Sequence, residues 1–169
     1  MRSRTAAALA VLALLTASAC AARPAPSVDD VIKAATRRLT DDCLTRRGLS
    51  PASGQQRVAD ALFGTGRAEL SLRLRTGYVV RAHTDGCLAA AQRRLYGDQD
   101  RWFHASVVVN NLKPEAARTG RPLSEVRAAH RAELAEWRRL RARALTQATA
   151  LLEGGDITRP STTHPKGSQ

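Results

Sequence analysis

Aromatic residues are scarce: they make up 4% of the chain, two each of Trp, Tyr and Phe. A core with so few rings has to be built from Leu, Val and Ala. That favours helix packed on helix, with Phe63, Tyr78, Tyr96, Trp102, Phe103 and Trp137 as the large anchors. Negative charge is also short, with 15 acidic residues against 27 basic ones and a formal net charge of +12. Arginine far outnumbers lysine. Such a surplus favours anionic partners, whether a membrane headgroup layer, an acidic wall polymer or nucleic acid. Arginine richness is equally what a compositional bias of the coding sequence produces. The charges are scattered rather than gathered in one tract, and neither an aromatic platform nor a groove-reading motif accompanies them. Both facts weigh against nucleic acid.

Signatures of chemistry are missing too. His83, His104, His130 and His164 show neither H-x-x-x-H nor H-E-x-x-H spacing and join no cysteine cluster, which removes the basis for a zinc site. There is no C-x-x-C, no G-x-S-x-G elbow, and no Walker or dinucleotide-binding glycine pattern, since Gly64-Thr65-Gly66 is too short and follows no convincing strand. No cofactor, metal or catalytic residue is therefore assigned. Asp98 and Asp100 beside Trp102 form the one acidic-aromatic cluster, and with His104 they are the residues on which activity against wall polymer would rest. Helix capping explains the two aspartates more simply.

What is present begins at the N-terminus. Arg2 and Arg4 make a short basic region, and Ala6 to Leu15 is an apolar run of signal-peptide length, too short to span a membrane. Thr16-Ala17-Ser18-Ala19-Cys20 follows. Small residues before a cysteine resemble the lipobox of bacterial lipoproteins, although Ala17 stands where leucine is usual. The resemblance implies cleavage after Ala19 and a diacylglyceryl group on Cys20. Ala17-x-Ala19 also suits an ordinary signal peptidase, so plain secretion stays open. The consecutive arginines of a twin-arginine signal are absent. Two or three acyl chains would hold the protein on a membrane durably, at about 0.8 kcal/mol for each buried CH₂. The chain then divides into a signal segment (1–19), a lipidated tether (20–27) containing Pro24 and Pro26, a helical domain (28–152) and a Pro/Ser/Thr-rich, disordered tail (153–169).

Helical spacing of Val28, Ile32, Ala35, Leu39 and Cys43 predicts a helix over 27–47, with Ser27 as N-cap, Asp30 in a capping box and Gly48 as the stop. A short helix over 55–63 would bury Val58 and Leu62. Alternation of Leu70, Leu72 and Leu74 predicts a strand over 69–75, with a two-residue turn at Thr76-Gly77 and a return strand over 78–83. A lone hairpin is marginal in water, so it has to lie on a helix. A helix over 86–96 follows, capped by Asp85 or Thr84, with Leu88, Ala91 and Leu95 inward. Residues 100–112 suit either a helix or a strand, because Val107-Val108-Val109 precedes Asn110-Asn111. Lys113-Pro114 is expected to end that element and 115–121 to form a polar connection. One long helix from Pro122 to about Leu152 would close the domain at Gly154-Gly155. The expected fold class is mainly α, a small helical domain with a minor hairpin and one disulfide.

If Cys20 carries lipid, Cys43 and Cys87 are the two cysteines left in an oxidising compartment, and only one intramolecular pairing is open to them. A reactive thiol is the competing reading for Cys87, at the start of a helix. The segments Cys43-Leu-Thr-Arg-Arg-Gly48 and Gly86-Cys87-Leu-Ala-Ala-Ala91-Gln-Arg-Arg-Leu95-Tyr96-Gly97, with Trp137 on a late helix, resemble a loose group of small secreted actinobacterial paired-cysteine proteins of unknown function. The likeness covers residues 30–140, with Leu44 departing from the Met usual after the first cysteine. It implies a disulfide-tied helical domain and says nothing of chemistry. The expected function is that of an exported, lipid-anchored envelope protein, a non-enzymatic binding or scaffold module at the outer face of the membrane. Its partners would be membrane lipid through Cys20 and an envelope protein or anionic wall polymer. The alternatives are a secreted wall-active enzyme or accessory and a binder of anionic polymer through surface arginines. Arg138, Arg139, Arg141 and Arg143 are the densest basic group, fanned around a helix as a solvated face or a contact for lipid headgroups.

Overall fold

The computed structural model describes residues 25–50 and 52–156. The expected signal segment and tether through Pro24, with Cys20, and also Pro51 and residues 157–169, lie outside the described residues. The described residues form helices α1 (Val28–Arg46), α2 (Gln55–Phe63), α3 (Cys87–Tyr96), α4 (Gln99–Asn110), α5 (Leu112–Thr119), α6 (Leu123–Ala129) and α7 (Arg131–Asp156) and one antiparallel hairpin, β1 (Leu70–Arg73) and β2 (Val79–Ala82). The domain is mainly α, as expected. Among the described residues no helix is long and apolar enough to cross a membrane.

The first helix starts where its sequence directs. The Ser27 hydroxyl oxygen accepts from the Asp30 amide at 3.2 Å, and the Asp30 carboxylate accepts from the Ser27 amide at 3.1 Å, a complete reciprocal box. Ile32 and Ala35 enter the main core with Leu95, Tyr96, Ala105, Leu140, Ala144 and Ala148. Small residues on three of these helices allow close approach, and Tyr96 stacks on Trp102 with ring centroids 3.6 Å apart. Val28 is exposed, and Phe63 and Tyr78, expected as core anchors, are exposed as well. Tyr78 instead meets Arg118, whose guanidinium lies 6.0 Å from the ring centroid. Asp29 binds Arg141 of α7, and Arg38 donates to the Leu151 carbonyl at 3.1 Å. These two contacts are in step, so α1 and α7 run in the same direction.

Cys43 and Cys87 are joined, with Cα atoms 5.7 Å apart, tying the last turn of α1 to the first turn of α3. This removes the free-thiol reading of Cys87. Beside the bridge, Gly86 is buried and its backbone runs against the end of α2. A Cβ there would sit 2.5 Å from the Leu62 carbonyl oxygen and 2.6 Å from the Phe63 carbonyl carbon. Asp85 does not cap α3, which begins at Gly86 without a side-chain cap. Its carboxylate turns back and accepts from the Gly66 amide at 3.0 Å and the Thr65 amide at 3.3 Å, holding the loop between α2 and β1. Thr84 binds Glu69, also away from the helix start.

The hairpin pairs Leu70 with Ala82 and Arg73 with Val79. Its turn is longer than the expected Thr76-Gly77 pair. The Gly77 amide donates to the Leu74 carbonyl at 2.9 Å and the Leu74 amide to the Tyr78 carbonyl at 2.8 Å. Gly77 sits at φ +89°, so the loop is three residues closed by a glycine bulge. Leu72 rests on a second core of Val108, Leu112 and Val126, which supplies the supporting helix the hairpin needs.

In the C-terminal half one open alternative is resolved and three expectations are corrected. The alternative left open for 100–112 resolves as helix α4, capped by Asp98, whose carboxylate accepts from the Arg101 amide at 3.0 Å. Lys113-Pro114 does not end an element. Pro114 stands in the first turn of α5, where its missing N–H is not needed, so the expected polar connection at 115–121 is largely helical. The single closing helix is two, interrupted at His130, whose φ of −110° and ψ of 31° leave the helical region. At its far end α7 continues through Gly154-Gly155 to Asp156, past the expected stop.

Replacing Cys43 and Cys87 together by Ser is expected to lower the unfolding free energy by about 4 kcal/mol in the chain-entropy account, measurable by denaturant titration. Gly86→Ala should lower it by about 1–3 kcal/mol or more, because the new methyl meets backbone that cannot swing aside. Accepting the Gly66 amide is the main influence that holds the Asp85 carboxyl below the usual carboxylate range. Its contribution is therefore present above the unfolded-state value and lost as pH falls through the folded one, below about pH 4. Asp85→Asn should flatten that part of the acid-unfolding curve.

Candidate binding groove

The break at His130 coincides with a buried tertiary contact. His130 and Glu115 are both 7% exposed, and His130 Nε2 lies 3.0 Å from Glu115 Oε2, pinning the junction of α6 and α7 to α5. His130 Nδ1 is buried and makes no hydrogen bond, with Glu133 Oε1 at 3.6 Å. The sequence reading puts His130 inside one long helix and Glu115 in a polar connection, and so does not bring the two together. Their separation of fifteen positions carries no local signal.

On an unbroken helix Leu123, Arg127, Arg131, Leu134 and Arg138 would form one straight stripe. With the break, α6 and the first turns of α7 wall a groove of about 870 Å³ against the α4–α5 junction. Its large apolar side chains are Val109, Leu112, Leu123, Leu134 and Trp137, and its basic ones are Lys113, Arg127, Arg131 and Arg138. No carboxylate lines it. Lys113, Arg127, Arg131 and Arg138 are exposed and pair with no carboxylate among the described residues. Cations without counterions around an apolar floor favour a ligand that is anionic at one end and apolar at the other.

The four clustered arginines of α7 part company in the fold. Arg138 lines this groove. Arg139 pairs with Glu136 at 2.7 Å. Arg141 binds Asp29 and lies 4.7 Å from the Trp137 ring centroid. Arg143 lies over Gly97, where a Cβ would come within 2.6 Å of its guanidinium carbon.

The residues proposed for wall chemistry fall on two grooves, since Asp98 and Asp100 line one with Glu69, Thr84 and Arg93. Asp98 is committed to its cap. Asp100 and His104 share a second groove, about 540 Å³, with Arg101, Glu133 and Glu136. The hydrogen bond from Arg139 is the main cause that holds the Glu136 carboxyl below its usual range, and Arg101, at 3.0 Å, adds to it. Glu136 is thus the shared counterion of Arg101 and Arg139 there. No group of three or more His, Cys, Asp or Glu able to hold a metal occurs among the described residues. His83 has a buried Nδ1 without a hydrogen-bond partner among the described residues. Cys20 and His164 lie outside the described residues.

Comparison with protein-family models, with curated proteins and with solved structures finds no match for this chain.

Glu115→Ala should lower stability by about 1–3 kcal/mol by leaving the buried imidazole without its partner, and Glu115→Gln by less, as read from thermal unfolding.

Proposed function

We propose that this chain is an exported, lipid-anchored envelope protein that acts without catalysis, as a binding or scaffold module for an anionic component at the outer face of the membrane. The observation that carries the binding reading is the α5–α6–α7 groove, with four basic side chains, an apolar floor and no carboxylate. The apolar segment before Cys20 and the small residues Ala17, Ser18 and Ala19 support export and acylation. The Cys43–Cys87 bridge suits an oxidising compartment. Acyl chains on Cys20 would confine the domain to the bilayer surface and raise its effective concentration toward any surface-bound ligand.

A second reading, activity on wall polymer, is favoured by the meeting of Asp100, His104 and Glu133 in one groove. It requires that Asp100→Asn or His104→Ala abolish hydrolysis of purified wall material, whereas the binding reading expects no hydrolysis to lose.

The protein recovered from membranes should begin at Cys20, carry an acyl mass that disappears in Cys20→Ala, and gain two hydrogens on reduction. A soluble, unacylated mature species would overturn the anchored reading.

A further inference from the structure

The tether and the basic groove belong to the same end of the molecule. The chain enters the domain at the N-terminal end of α1, where Asp29 is level with Arg141. Because α1 and α7 run in the same direction, the N-terminal stretch of α7 extends past that level, toward the side from which the chain enters. From Arg131 to Arg141 the rise is roughly 15 Å at helical pitch. This projecting stretch carries Arg131, Leu134, Trp137 and Arg138, half of the groove. Cys20 can lie at most about 18 Å from Ala25, the extended length of the intervening chain. An anchor on Cys20 would thus hold the groove end of the domain against the bilayer, while the disulfide end of α1 points away.

Resting on the anchored reading, we propose that the α5–α6–α7 groove faces the membrane and takes an anionic phospholipid, with the phosphate among Lys113, Arg127 and Arg131 and the start of an acyl chain against Leu134 and Trp137. Charge complementarity selects the headgroup: four cations without carboxylate neighbours meet a surface of phosphates. The apolar floor distinguishes this from simple attraction to a charged surface, because a soluble polyanion has nothing to place there. Trp137 is half-buried in the groove, and an amphipathic ring of this kind favours the level where bilayer and water meet.

The test separates the groove from the anchor. The mature chain from residue 20, carrying Cys20→Ser, is sedimented with vesicles of phosphatidylcholine alone or mixed with phosphatidylglycerol. Binding is expected only to the mixed vesicles and should weaken as salt is raised. The triple variant Lys113→Gln, Arg127→Gln, Arg131→Gln should bind about a hundredfold more weakly, at about fivefold for each basic residue near the surface. A triple variant of the same charge at the exposed Arg37, Arg46 and Arg94 should lose less than about threefold. In a Trp102→Phe background, brominated phosphatidylglycerol should quench Trp137, which reports groove occupancy in a chain that keeps all its cations. Equal losses in the two triple variants, equal binding to both vesicle types, or an unquenched Trp137 would overturn the proposal. Tighter binding to soluble polyphosphate than to vesicles would overturn it in favour of a polymer. None of these readouts depends on acylation, so an unacylated native protein would defeat the anchored reading by itself, and a failed vesicle assay would defeat the groove assignment by itself.

Discussion

The covalent tie between Cys43 and Cys87 sets the position of α3, and α3 sets much else. The bridge brings the start of α3 to the end of α1, and Gly86 lets the backbone beside it lie against the end of α2 without an intervening side chain. Leu95 and Tyr96, later on the same helix, then fall between α1, α4 and α7, where Leu95 is fully buried. A chain with so few aromatics has little large apolar surface to hold helices in register. A cross-link placed at a helix start restricts the orientation of the whole helix, and small residues such as Ala35, Ala105, Ala144 and Ala148 complete the packing by close approach.

The second constraint is polar. Glu115 and His130 hold each other out of water and pin the α6–α7 junction onto α5. The same contact that interrupts the last helix shapes the basic groove, because it turns a straight stripe of residues into a concave wall. Function, on the reading proposed above, depends on this bend as much as on the charges. The arginines that the chain carries in excess are sorted by the fold into counterions, such as Arg139 and Arg141, and uncompensated cations, such as Arg127, Arg131 and Arg138.

Alignment of α1 with α7 links the two. Asp29 with Arg141, and Arg38 with the Leu151 carbonyl, keep the helices in the same direction and in step. The chain therefore enters the domain at the end that bears the groove, and an anchor upstream would present that groove to the surface it is anchored in.

Local signals in the sequence were enough for the elements whose causes are local. The capping box at Ser27 and Asp30, the span of α2, the alternation of Leu70, Leu72 and Leu74 and the pairing of Cys43 with Cys87 all depend on near neighbours or, for the cysteines, on simple counting. The small residues before Cys20, on which the proposed acylation rests, are an equally local pattern and lie outside the described residues. Other features needed the tertiary structure, because their partners are distant. Asp85 looked like a helix cap and bonds a loop nineteen residues earlier, since unpaired amides at Thr65 and Gly66 compete for the same carboxylate. Residues 100–112 were ambiguous because Val107-Val108-Val109 suits a strand, and burial of Val107 and Val108 between helices decided for α4. The break at His130 has no glycine or proline to announce it and follows from a buried hydrogen bond. Composition thus determined that the protein would be helical, basic and cross-linked. Only long-range packing decided which cations remain without partners and which end of the molecule they occupy.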